Sequence, residues 1–361
     1  MKTNTHIVLK FLFIIIAALV GAHAIAGWIT SRQVKQAYEK FEEAGRPIVP
    51  EDIIPPPISS SDNAAILYRK AFLLIEASTA DLDDEKNPLR LADNEIKAEK
   101  ISLIRDFLHL SPVRSAIELI PDANKKPGVR YHEDYLQGPE MNLPELAGIR
   151  NLHKVLLLKI RYQLHENAPA QELYTTFENV LGLCNALRNE PFLISGLVRI
   201  QQISLTLDLL KQAIEKTPPS AAQVVALKSR VDALRIENYA HQIFDGERIL
   251  FGDLIFRRAL TDLNHEGLGD LGVSIKSYGS YPLRPISNAD HAAYLNHMFK
   301  LTKALDNPDT RQSLIDSAED IPWYCPITLL IAPDLIRPLE KFEKMDVQIE
   351  EARSALSALR K

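Results

Sequence analysis

The sequence predicts an all-α fold: an irregular array of antiparallel helical hairpins behind an N-terminal transmembrane helix. Three observations predict it. Phe11 to Ile29, FLFIIIAALVGAHAIAGWI, lies in a stretch with no formally charged residue between Lys10 and Arg32. Beyond it, apolar residues recur every three or four positions through most of the chain, the period of one helix face. Short breaks such as Asn167-Ala168-Pro169 and Thr217-Pro218-Pro219 separate these stripes. Short connections between long amphipathic helices imply hairpins packed side by side.

A helix rises about 1.5 Å per residue and the hydrocarbon core is about 30 Å thick, so roughly 20 apolar residues span it. Ile7 to Ile29 meets that length when Lys10 snorkels to the headgroups, and Trp28 stands where an interfacial aromatic belongs. A signal peptide is the competing reading. Lys2 and Lys10 form a basic n-region, Phe11 to Val20 an apolar h-region, and Ala22-His23-Ala24 an A-x-A-like site. Cleavage after Ala24 leaves a soluble periplasmic protein. The apolar run through Ile29, and the helical pattern that follows it without a break, favour the uncut anchor. Arg32, Lys35, Lys40 and Arg46 weaken the positive-inside signal, but a large domain is translocated despite such charges. The expectation is a single-pass protein with its main domain extracytoplasmic.

The 361 residues leave room after the anchor for one large domain or two moderate ones. Charged residues are 25% and hydrophobic residues 46%, a globular composition that excludes wholesale disorder. The net charge of −5 argues against nucleic acid, which needs a basic footprint. The two cysteines, Cys184 and Cys325, either pair in an oxidising compartment or are small buried hydrophobes. Cys184 lies on an apolar stripe, which favours burial.

Taken in order, 1–31 reads as the anchor and 32–46 as a juxtamembrane helix with Val34, Ala37, Tyr38 and Phe41 on one face. Gly45 suits the position just past its end, with Pro47 as a stop. Residues 47–61, with prolines at 47, 50, 55, 56 and 57, read as an extended spacer. The helical body is expected over 62–361. Ser61 or Asp62 caps its first helix, whose face includes Ala65, Tyr68, Ala71, Phe72 and Ile75.

The run from the anchor through EEAGRPIVPEDIIPPPISSSDNAAILYRKAFLLI resembles an uncharacterised group of bacterial N-terminally membrane-anchored helical proteins. The matching positions are Gly45, Pro47, Pro55 to Pro57, Asn63, Ala64, Ala65 and Tyr68. Asn189-Glu190-Pro191-Phe192-Leu193-Ile194 with Leu197-Val198 resembles a second shared element. The resemblance implies architecture and attaches no chemistry.

Further on, 95–110 and 111–120 read as helices. Asn142 to Glu145 has the form of a capping box before the stripe Leu146, Ile149, Leu152, Leu156 and Ile160. Leu173, Phe177, Val180, Leu181 and Cys184 form the next stripe. A helix from Pro191 to about Glu215 is apolar nearly all round, which marks a core helix, since Arg199, Asp208 and Lys211 make bilayer burial expensive. Ser220 caps a helix that continues, kinked, from Asn238 to Leu260. The glycine-rich stretch 264–287, with Tyr278 and Tyr281, is a candidate binding loop. Helices over 288–305 and 334–361 complete the chain.

No HExxH, G-x-S-x-G, P-loop, dinucleotide or EF-hand pattern is present. His241 and Asp245, one helical turn apart, with Glu247 nearby and His265 later, are the only candidates for acid/base work or metal ligation, and a hydrogen-bonded pair beside a core stripe is the commoner use of such a spacing. Glu247, Arg248, Asp253, Arg257 and Arg258 read as a salt-bridged surface. Asp290, His291 and His297 flank a helix start, and the six-residue spacing of the two histidines does not share a face. Two function classes follow. One is a membrane-tethered binding or scaffold module, with the bilayer and an envelope protein as partners, no cofactor, and an exposed apolar groove. The other is an exported hydrolase or metal-dependent enzyme with a cleft under the 264–287 loop.

Overall fold

A computed structural model of the chain describes residues 2–80, 82, 87–92, 97–132, 134–138, 141–261 and 280–359. The described residues are mostly helical and contain no strand. One isolated parallel bridge joins Asn63 to Gly128. The first half holds α1 (Lys2–Glu43), α2 (Ala65–Thr79), α3 (Ile101–His109), α4 (Ser111–Asn124), α5 (Pro144–His165), α6 (Ala170–Leu183) and α7 (Leu193–Lys216). The second half holds α8 (Ala221–Asp232), α9 (Tyr239–Gly246), α10 (Asp253–Thr261), α11 (Arg284–Asp306), α12 (Arg311–Glu319), α13 (Pro326–Ile331) and α14 (Ile336–Ala358). A π-helical turn, Glu247–Gly252, joins α9 to α10.

The chain folds into two compact units. One takes Met1–Ile54, Tyr135–Met141 and Phe244–Arg337, and the other takes Pro55–Asp134, Asn142–Ile243 and Pro338–Lys361. The body expected as one block over 62–361 is therefore divided, and part of it shares a unit with the N-terminal helix.

In the first unit, α1 is a single helix of 42 residues. Its N-terminal part is long and apolar enough to cross a membrane, and the large side chains from Ile7 to Val20 are exposed. By Ala37 and Phe41 the same helix is core. The expected anchor and juxtamembrane helix are thus one element. It ends as expected at Gly45, whose φ of 65° suits glycine. Gly45 N–H donates to Glu42 O at 2.9 Å and Arg46 N–H to Phe41 O at 2.8 Å, the paired bonds of a Schellman motif. Helix α11 packs along α1. Asn288 Nδ2 donates to Ser31 Oγ at 2.9 Å, and Lys40 Nζ to Asn296 Oδ1 at 2.6 Å. Residue numbers rise together, so this pair runs parallel, as helices remote in sequence are free to do.

The proline spacer is a correction. Its first half, 47–54, belongs to the first unit. Pro50 and Ile53 are buried, a 3-10 turn runs over Pro50–Asp52, and Pro47 O accepts from Arg248. The prolines fix φ, but neighbouring apolar residues give this strand of chain something to pack on.

The second unit is built around α5, which packs on α2, α3, α6 and α7, while α2 packs on α4 and α6 on α8. Ile149, Leu152, Val155, Leu156, Leu158 and Ile160 of α5 are fully buried. Ser220 forms the expected cap of α8, accepting from Gln223 N–H at 3.4 Å while Gln223 Oε1 accepts from Ser220 N–H at 2.8 Å. Two caps differ from expectation. Asn63, not Ser61 or Asp62, accepts the N–H of Ala65. Glu145 makes no capping box at α5, because its side chain goes to His132. Helix α7 is long and apolar enough to span a bilayer, but most of it lies inside the unit, as a core helix does.

Candidate functional site

In the second unit a groove of about 800 Å³ lies between α7 and the C-terminal half of α14. The two helices meet at one end. There Gly196 leaves room for the Phe342 ring, and Gln348 Nε2 donates to Ser204 Oγ at 3.1 Å. Past that point they part. Leu207, Leu210 and Ile214 from α7 face Val347, Ala352 and Ala355 from α14 across the gap. The rim carries Asp208, Asp346, Glu350 and Glu351 against Lys211. Burial pushes the Asp346 carboxyl up, with Arg235 and Arg199 pulling the other way. Beside the groove, α14 is tied to α8 and to the turn after it: Arg353 Nε donates to Asp232 at 2.5 Å, and Arg235 Nη1 to the rim residue Glu350 at 2.9 Å. The apolar stripe of α14 was legible as an amphipathic pattern. The gap in front of it was not, since nothing in either helix says how far apart the two will lie.

A lone arginine anchors the wall behind the groove. Arg199 is fully buried in α7. Its Nε donates to Cys184 O at 3.1 Å, its Nη2 to Asn185 Oδ1 at 3.0 Å and Leu234 O at 2.5 Å, and it stacks 4.6 Å from the Tyr239 ring centroid. Its signal in the sequence is a charge on an otherwise apolar helix. Cys184 and Cys325 are both buried free thiols, and burial pushes each up to about 12.

A second polar centre gathers His132, Glu145 and Glu190. His132 Nε2 lies 2.8 Å from Glu145 Oε1 and 4.0 Å from Glu190 Oε2. Arg69 donates to Tyr131 O, and its guanidinium lies 5.9 Å from the Tyr131 ring centroid. Burial, with Tyr68 and the two carboxylates adding to it, pushes the Tyr131 hydroxyl well up. An imidazole on a carboxylate is acid/base machinery where substrate reaches it. Here the His132 side chain is 12% exposed and Glu145 2%. Nothing in the sequence next to His132 points to Glu145 and Glu190, which arrive from other segments.

The sequence candidates fare differently. Asp245 is buried in the first unit and paired with Arg46, while Arg248 Nη2 reaches its other oxygen at 3.4 Å. It is held by two guanidinium groups. His241 and Glu247 are half-buried, on α9 and at the start of the π turn. Tyr281 is exposed in a 3-10 turn ahead of α11. His265 and Tyr278 lie outside the described residues, as does most of the 264–287 loop. Among the described residues no group of three or more His, Cys, Asp or Glu could hold a metal ion.

The charged face expected to be surface is instead interior at its centre. Arg248 and Asp253 are fully buried. Arg248 lies 3.9 Å from the Phe41 ring centroid and 3.8 Å from Asp253 Oδ2, while His291 Nε2 lies 3.1 Å from Asp253 Oδ1. Tyr38 completes the chain, its hydroxyl 3.4 Å from His291 and accepting from Arg257 at 3.4 Å. Burial and the Asp253 charge push the Tyr38 hydroxyl up. A π-helical turn, Glu247–Gly252, lies within this face, and Arg248 at its start and Asp253 just after it both turn inward. Asp290 also turns inward, accepting from the N–H groups of Ile327 and Thr328 at 3.0 Å each. His297 is buried on the same helix.

Comparison with known proteins yields no identity: no family model, no curated protein and no solved structure matches this chain.

Proposed function

We propose that this chain is a membrane-tethered, extracytoplasmic binding module whose groove between α7 and α14 receives an amphipathic helix of an envelope protein. In this reading α1 is the membrane span and the body behind it is an array of antiparallel hairpins. The groove is the observation that carries it. An apolar groove with Leu207 and Leu210 buried at its base, Ile214 half-buried, and Val347 at 57% exposure on its far wall fits the apolar face of a helix. With Glu350 already paired to Arg235 and Arg353, the rim still sets Asp208, Asp346 and Glu351 against Lys211, which favours a partner helix with basic flanks. The hydrolase reading needs Asp245 free for chemistry, and that side chain is committed to Arg46 and Arg248.

The uncut anchor has its own support. His23, centre of the Ala22-His23-Ala24 site, lies in unbroken helix with its Nε2 3.1 Å from Pro282 O. Intact mass of the purified protein tests this directly, since cleavage after Ala24 removes the whole segment.

The test of the groove is a photo-crosslinking residue at Val347 in the full-length protein in cells, with Val225 on α8 as an exposed reference. The expected result is one adduct of defined mass from position 347, none from 225, and loss of the adduct when A355W fills the groove. Equal labelling at both positions, or an adduct indifferent to A355W, overturns the proposal.

A further inference from the structure

The length of α1 left bare by the body is too short for the bilayer, and this points to a second membrane contact. Counted from Ile7, a hydrocarbon core of about 30 Å takes a helix to roughly Ala26. The body meets the helix earlier. The His23 ring centroid lies 4.9 Å from that of Tyr281, and His23 Nε2 lies 3.1 Å from Pro282 O; one turn on, a Cβ on Gly27 would lie 3.9 Å from Pro285. Ile7 to Ala22 alone reaches only about 24 Å. If α1 spans, the turn Tyr281–Leu283 and the first turn of α11 sit at the hydrocarbon boundary rather than above it.

The side chains presented there suit that position. Tyr281 is 67% exposed, Trp28 is 64% exposed, and Ile286 is exposed beside them in sequence on α11. Arg32 lies 5.7 Å from the Trp28 ring centroid, and Arg284 is exposed on the first turn of α11. Aromatic rings with a polar tip and an aliphatic side chain partition to the interface, and guanidinium groups meet lipid phosphates. In water, such a patch around an apolar helix is unfavourable exposure.

We infer that Tyr281, Arg284 and Ile286, with Trp28 and Arg32, form a collar immersed in the headgroup layer of the leaflet next to the body. The occupant is lipid: acyl-chain ends against Ile286 and the rings, phosphate against the two arginines. The collar fixes the depth of the first unit and its rotation about α1, which a single spanning helix leaves free. This inference rests on α1 being a membrane span.

The test uses full-length protein in phosphatidylcholine–phosphatidylglycerol vesicles, with one tryptophan at a time in a W28F/W323F background. Bromines are placed shallow or deep on the acyl chains to quench it. I16W reports the span and Y281W the collar. The expected result is deep quenching of Trp at 16, and a blue-shifted emission at 281 quenched by shallow bromines. Deep quenching at 16 with no quenching at 281, whether that site is wet or covered by protein, overturns the collar and leaves the span standing. No quenching at 16 overturns the span, and the collar with it.

Discussion

Replacing Asp245 with alanine strips one buried carboxylate from between two guanidinium groups, and the structure sets the scale of the loss. The Arg248 side chain is 1% exposed and Asp245 itself 4%, while Arg46 keeps 18% of its surface in water. Removing one partner of a buried pair costs about 3–5 kcal/mol, because the remaining charge stays desolvated. Arg46 can turn toward solvent, and Arg248 keeps Asp253 at 3.8 Å and the carbonyl of Pro47, so the lower end, about 3 kcal/mol, is expected. At roughly 2–4 °C per kcal/mol for a unit of this size, the melting midpoint of the detergent-solubilised full-length protein falls by about 6–12 °C. Near-ultraviolet circular dichroism follows it. The double variant R46L/D245L recovers only the part of the loss owed to Arg46, since the more buried Arg248 still faces the missing carboxylate. A D245A midpoint within about 2 °C of the parent, under 1 kcal/mol, refutes the structural role and returns Asp245 to the list of chemical candidates.

Two further predictions concern titration. Burial lowers His153 from 6.5 to about 3 and His297 from 6.5 to about 4. Each is therefore neutral in the fold and takes up a proton on unfolding. Stability is unaffected above the ordinary histidine range and falls as pH drops below it, by up to about 1.4 kcal/mol per pH unit for each histidine. H153Q, which keeps a hydrogen-bonding group toward Thr206, is expected to flatten this slope in urea unfolding series; an unchanged slope counts against the assignment. Both cysteine thiols are pushed up to about 12 by burial, and the thiolate is the reactive form. Maleimide near neutral pH is expected to leave folded protein unlabelled and to add two labels after denaturation, read by intact mass; rapid labelling of the folded chain contradicts this.

Local chemistry made much of the fold readable. Gly45 ends α1 because only a residue tolerant of positive φ closes that turn. Ser220 with Gln223 starts α8 because both ends of a capping box lie within one turn. The α5 stripe is buried because its apolar spacing allows no other face inward. Each of these depends on neighbours a few residues apart. The failures share the opposite property. The proline run reads as a spacer because prolines fix extended backbone, yet Pro50 is buried and Pro47 O accepts from Arg248, about two hundred residues away. Glu145 looked like a cap, and His132, thirteen residues upstream, claimed it.

What the sequence by itself determined is the all-α class, most helix boundaries and the long apolar N-terminal helix, all products of short-range periodicity and capping. Tertiary structure alone decided which charges are buried, that α1 and α11 run parallel, and that α7 and α14 part to leave a groove. The physical reason is range. A helix propensity or a cap is written within a turn, whereas the burial of Asp245 needs Arg46 about two hundred residues away, and a gap between helices is a property of packing that no single stretch encodes.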